Sequence, residues 1–259
     1  MSNYAFNYKG MNEQYKKEIQ YLSSLITSVQ YAPKAFTIVQ SDGKYIFGMT
    51  SVPGKEIPLS KILEYKTLYD TLVDLDEKIK FSLETATGYS YSPSVIKDFD
   101  MLKKSSGDEW MAYYHIENAV FRTSSMWDIL AQFYRVRYGL VIDFDRVNYK
   151  RIFDPTKEHC IQFKGIAETI HAYLNEDDNT DCEGEWHGNH EFVSEYRNKM
   201  THRNSPNVSV ASNLDFNLKL HPTFILKRVI EDYVQAFKFI SDIIAEAMEE
   251  SRQIFETSF

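Results

Sequence analysis

Apolar residues in this chain recur mostly at steps of three and four, the repeat that lines one face of an α-helix. Tyr15, Ile19, Leu22, Ile26 and Val29 follow it, which predicts a helix from about Met11 to Val29, broken by Pro33. The pattern then changes. Phe36, Ile38 and Val39 precede Asp42-Gly43, and Tyr45, Ile46 and Phe47 follow. An Asp-Gly pair between β-prone runs predicts one small hairpin over Ala35–Met49. Pro53, Gly54 and Pro58 then make a turn-rich connection.

Tyr65, Leu68, Leu72, Leu75 and Ile79 predict a second helix from about Leu59 to Leu83, and a Ser- and Thr-rich linker follows around Thr85 to Ser94. A third long helix is expected over about Asp108 to Tyr138. Its apolar residues, among them Trp110, Tyr113, Tyr114, Phe121, Trp127 and Phe133, point nearly all round, which predicts a central, buried element. Within it Glu117, Phe121, Ser124 and Asp128 share one side, so two carboxylates sit among large apolar groups and need donors. The simpler reading is that buried Arg or Tyr groups satisfy them for structure.

Shorter helices are expected near Asp145–Ile152 and Phe163–Leu174, then an exposed acidic loop at Asn175–Glu185 and a helix over about His187–His202. Arg203–Leu220 reads as a long loop rich in Asn and Ser. A last helix starts near Pro222 and exceeds 30 residues, with Leu226, Ile230, Tyr233, Phe237, Ile240 and Ile244 along its stripe. No alternating strand–helix series appears, which argues against a parallel sheet. Long helices with such stripes predict an all-α bundle.

Composition narrows this further. Among the 259 residues, 18 Tyr and 17 Phe supply a large core, while 10 Gly and 7 Pro disfavour a turn-rich all-β fold. The net charge of −8 speaks against a protein that coats nucleic acid non-specifically, and leaves room for a local basic patch. Two cysteines, Cys160 and Cys182, cannot frame a disulfide scaffold; reduced thiols in a cytoplasm fit best. No apolar run approaches the roughly 18 residues that span a bilayer, so no membrane role is expected. Met1-Ser2-Asn3-Tyr4 shows no basic segment leading into an apolar one, so no signal peptide is expected.

The most informative segment is Glu195-Tyr196-Arg197-Asn198-Lys199-Met200-Thr201-His202-Arg203-Asn204. A histidine moves protons near neutral pH, and an arginine offers a planar, permanent charge to phosphate oxygens. Together they suit phosphodiester cleavage, where charge grows in the transition state. If the helix continues through His202, the two side chains do not stack; if it ends between them, both can turn toward one pocket. The spacing alone is a weak motif, and a surface Arg and His closing a helix would read the same.

The string Arg197-Asn198-x-x-x-His202 at the end of a helix, in an all-α bundle, resembles the HEPN superfamily, whose signature is an arginine, a polar neighbour and a histidine four to six residues on. The run His115-Ile116-Glu117-Asn118-Ala119-Val120-Phe121-Arg122 also looks like an early helix of bacterial HEPN families. The resemblance covers roughly Leu59 to Phe259. It divides the chain into a helix-and-hairpin addition at 1–57 and a HEPN-like bundle at 58–259. It implies a homodimer and metal-independent endoribonuclease activity without a cofactor, in a toxin or phage-defence setting with an antitoxin or regulatory protein as partner. His202 would be the general acid and base, Arg197 the phosphate clamp and Asn198 the positioning group. Lys199 and Arg203 flank the motif and would hold the RNA backbone. Some members lack the motif and only bind partners or nucleotides, so a non-catalytic module for dimerisation or partner binding stands as the alternative. The acidic pI and the long segments around the motif depart from the smallest toxins.

Other constellations are weaker. Cys182, His187 and His190, with His159 and Cys160 elsewhere, are metal-ligand types without the paired spacing zinc prefers. Asp177, Asn179 and Asp181 alternate like the start of a calcium loop, but the sixth position is Cys182 and the twelfth is Gly188. No metal site is expected, and no nucleophile elbow, P-loop or dinucleotide fingerprint is present.

Overall fold

The computed structural model describes residues 12–32, 35–36, 58–157, 165–179, 186–202, 205–211 and 216–258, with the backbone alone at 58–59, 202 and 255–258. Helix α1 (Glu13–Ser28) starts after Asn12, whose side chain accepts the N–H of Gln14, and it buries Ile19, Leu22 and Ile26. Helix α2 (Pro58–Ser90) runs on to Ser90 rather than stopping at Leu83. Its hydroxyls explain the difference. Ser82, Thr85 and Thr87 donate back to the carbonyls of Lys78, Phe81 and Leu83 at 2.7–2.9 Å, so these polar residues stay helical. Ser92 then caps the short α3 (Pro93–Asp98), so the expected linker at Thr85–Ser94 is helix, cap and helix.

Helix α4 (Gly107–Tyr138) opens on a reciprocal cap. Ser106 Oγ accepts the N–H of Glu109, and the Glu109 carboxylate accepts the N–H of Ser106. It closes on Gly139, at φ +62°, with the Leu140 N–H donating to the Arg135 carbonyl. That left-handed closing residue favours glycine. A 3₁₀ turn (Phe144–Arg146) leads to α5 (Tyr149–Ile152), and α6 (Ile166–Leu174) and α7 (Asn189–His202) follow. Strands β1 (Val210–Ala211) and β2 (Phe216–Asn217) pair antiparallel, Val210 opposite Asn217. Helix α8 (Pro222–Ser258) closes the described chain with 37 residues.

The fold is therefore all-α, a helical bundle with long helices and, among the described residues, one small strand pair. That pair interrupts the stretch read as loop from Arg203 to Leu220; two residues per strand are too few to leave an alternating pattern. The hairpin expected over Ala35–Met49 lies outside the described residues, except for Ala35 and Phe36, which form a turn. The boundary expected at 57/58 also falls beside undescribed residues. No described helix is long and apolar enough to cross a membrane.

The chain divides into two compact units, residues 1–29, 77–124 and 172–235 in the first, and 30–76, 125–171 and 236–259 in the second. In the first, Leu22, Leu83, Ile116, Val120, Leu226 and Val229 are fully buried. In the second, Tyr65 stacks on Phe133 with ring centroids 6.1 Å apart, and Leu72, Trp127, Leu130 and Ile240 are buried around that unit's core. Helix α4 is not covered all round as its pattern suggested. Trp110, Tyr114 and Phe121 are exposed, along the same face as Glu117.

Candidate functional site

Helix α7 carries Arg197, Asn198, Lys199 and His202 and is fixed from its first residue. Asn189 Nδ2 donates to Glu231 Oε2 at 3.0 Å, His190 Nδ1 lies 3.2 Å from Asp232 Oδ1, and Phe192 meets Phe224 edge-on at 5.5 Å. These contacts hold the first turn of α7 against residues 224–232 of α8. Beneath this interface Arg228, with no exposed surface, donates to Asp178 Oδ1 and to the His187 carbonyl, and its guanidinium lies 4.8 Å from the Phe192 ring centroid. Tyr173 adds a bond to Asp232.

The acidic run folds back onto the start of α7. Glu191 accepts the N–H of Asp178, Asn179 accepts that of His187, and Glu176 accepts that of Gly188. Carboxylates at a helix N-terminus meet unpaired N–H groups and the positive end of the helix dipole. Gly188, at φ +67°, lies so close to the backbone of Asp177 and Asp178 that no side chain fits. Glu176 and Asn179 thus make residues 176–179 a capping loop at the start of α7. Of the residues weighed for zinc, His187 pairs with Glu176 and His190 with Asp232, while His159, Cys160 and Cys182 lie outside the described residues, as does Asp181. Among the described residues no group of three or more His, Cys, Asp or Glu side chains is arranged to hold a metal ion.

One and a half turns further on, a polar relay ties α7 to α4. Buried Tyr196 donates to Asn207 Oδ1 at 2.6 Å, and Asn207 Nδ2 donates to Glu117 Oε1 at 2.5 Å. Burial pushes the Glu117 carboxyl above its ordinary range, partly offset by the Asn207 bond. Burial and the nearby Glu117 charge push the Tyr196 hydroxyl well up, so it stays a donor. Glu117 therefore takes its donor from an asparagine in a loop, not from the Arg or Tyr expected. Asp128 caps instead: its Oδ1 accepts the N–H of Tyr149 at the start of α5.

Arg197 follows Tyr196 and is half-buried. Its Nε is buried and has no hydrogen-bond partner among the described residues. Asn198 and Lys199 are exposed beside it. Thr201 Oγ1 returns to the carbonyls of Arg197 and Asn198, and the helix runs through His202 without a break. The two motif residues are therefore not brought together by a helix end. Five positions at about 100° and 1.5 Å each set them about 140° apart around the axis and about 7.5 Å apart along it. The His202 side chain and all of Arg203 lie outside the described residues.

Beside the relay a cavity of about 480 Å³ opens between α4, residues 102–105, residues 205–209 and Lys219. Ser209 shapes one wall, donating to the Met101 carbonyl and accepting the Lys219 N–H. Lys219 is buried and bonded to Glu109 Oε1 at 2.6 Å. Across the mouth, Trp110 and Tyr114 stack on each other with centroids 5.6 Å apart and planes 15° apart, and both are about half exposed. Their spacing of four is visible in the sequence, but a helix apolar on nearly every side does not show that this face is left uncovered.

No family model, curated protein or solved structure matches the chain. The resemblance to the HEPN superfamily thus rests on the motif string and on the helical setting around it.

Proposed function

We propose that the chain is a HEPN-type, metal-independent endoribonuclease that cleaves RNA at a site shared by two copies, as a toxin or phage-defence component of the cytoplasm. Arg197 carries this reading. Its half-buried guanidinium carries a buried Nε with no hydrogen-bond partner among the described residues, a place that an anion would complete. It sits on a helix held from both sides, by the capping loop and α8 at its start and by the Tyr196–Asn207–Glu117 relay at its middle.

In the proposed reaction the RNA 2′-oxygen attacks the adjacent phosphorus. One His202 takes the 2′-hydroxyl proton, the P–O5′ bond breaks, and His202 of the partner subunit gives a proton to the leaving 5′-oxygen. The products are a 2′,3′-cyclic phosphate and a 5′-hydroxyl. Arg197 stabilises the charge on the non-bridging oxygens, Asn198 positions the phosphate, and Lys199 and Arg203 hold the strand. The offset of Arg197 and His202 around α7 favours a site completed across a two-fold axis over one built within a single copy.

The test is cleavage of single-stranded RNA in excess chelator. The reading expects activity from a chain that runs at twice the monomer mass, at least a hundredfold less from His202→Ala and Arg197→Ala, and a bell-shaped pH profile from two coupled imidazoles. Equal rates for wild type and His202→Ala, or no cleavage by either, would remove it in favour of a non-catalytic module.

A further inference from the structure

The stacked Trp110–Tyr114 pair at the mouth of the cavity is an unusual use of surface. Large aromatic side chains are normally spent in cores, yet these two expose about half their area and stack on each other. The rim beside them carries Lys103 and Lys104, both exposed. Lys103 forms a surface ion pair of little strength with Asp100, and Lys104 has no carboxylate partner among the described residues. The inner wall has the opposite character. Glu117 and Asn207 line it, and the buried Lys219 behind it is neutralised by Glu109. A phosphate is therefore excluded from the interior and accepted at the rim, while a flat, uncharged ring with polar edges suits the space between. A volume of about 480 Å³ lies within the range of ordinary ligand pockets.

We infer that this cavity is a nucleobase subsite for single-stranded RNA, in which a base stacks on the Trp110–Tyr114 pair and its phosphate lies against Lys103 and Lys104. Base–aromatic stacking is indifferent to sequence, because every base has a π-face, and it needs an unpaired strand, because a duplex hides those faces. The subsite connects to the cleavage motif through one path. Glu117 and Asn207, in its wall, bond onward to Tyr196, the residue before Arg197. Ser205, also in its wall, lies three positions after His202 in the chain. The inference deepens the ribonuclease reading and rests on it for the choice of RNA as ligand.

Binding is measured on the full chain with a 12-nucleotide 2′-O-methyl RNA, which cannot be cleaved by internal attack. Of the 3 tryptophans, Trp127 is fully buried and Trp110 is exposed, so stacking should quench Trp110 fluorescence. The expected result is saturable quenching with a log–log salt slope of about −1.4, for two phosphate contacts on a single strand. Trp110→Ala/Tyr114→Ala, checked for a native circular dichroism spectrum, should weaken binding at least tenfold, and Lys103→Glu/Lys104→Glu should weaken it and flatten the slope. A chain that binds in this way but cleaves no unmodified RNA defeats only the ribonuclease reading. Ultraviolet crosslinking of the unsubstituted chain gives a second readout, with adducts expected in residues 110–114. Unquenched fluorescence, equal affinity for a duplex of the same sequence, or crosslinks confined elsewhere would overturn the inference.

Discussion

Glu117 shows how one residue links the fold to the candidate site. Its carboxyl is pushed up by burial, so in the folded chain it holds its proton above the ordinary value of 4.5. A group whose folded pKa is raised contributes stability fully present below the unfolded value and lost as pH rises through the folded one. Wild type should therefore lose stability as pH rises from about 4.5 toward neutrality on account of this group. Glu117→Gln keeps an oxygen for Asn207 but cannot ionise. Thermal denaturation should show the variant gaining on wild type through that window and the higher of the two at pH 7. A variant that is less stable at pH 7 would mean that the ionised carboxylate is held by more than Asn207. Arg197 is a different kind of residue: its guanidinium is half-buried, and its buried Nε has no hydrogen-bond partner among the described residues.

At the scale of elements, Gly188 is the position where backbone geometry decides most. It has a left-handed φ and is pressed against Asp177 and Asp178 just where the capping loop meets α7. Gly188→Ala should cost at least about 2 kcal/mol, from strain and the displaced loop, read as a lower urea midpoint; an unchanged midpoint would contradict the tight approach. The long helices were legible because their stripes repeat over many turns: Ile19, Leu22 and Ile26 in α1, and Leu226, Ile230 and Tyr233 in α8, are all buried. What was not legible had local causes. The end of α2 was hidden because Thr85 and Thr87 read as linker residues, while their hydroxyls bond within the helix. Strands β1 and β2 are too short to carry a period. Trp110 and Tyr114 looked like core because a helix apolar on every side does not reveal which side is left uncovered. Asn207 could not be found at all, since its partner Glu117 is 90 positions away.

At the scale of the molecule, the arginine and asparagine of the motif and the adjoining Lys199 lie on one fixed helix, and a cavity of about 480 Å³ adjoins the relay that steadies it. The all-α architecture agrees with what the motif resemblance implies. The chain carries a net charge of −8, so binding that depends on local lysines and stacked rings, rather than on bulk positive charge, is what its composition permits. A single copy supplies one motif histidine, whereas internal attack on a phosphodiester uses a base and an acid on opposite sides of phosphorus, which a second copy would provide. The most direct measurement is the chemistry of the cut ends. Mass spectrometry of single-stranded RNA incubated with the chain in excess chelator should find 2′,3′-cyclic phosphate and 5′-hydroxyl termini, absent with His202→Ala and absent when DNA of the same sequence is supplied. Uncut RNA, 5′-phosphate ends, or the same ends from His202→Ala would contradict the account.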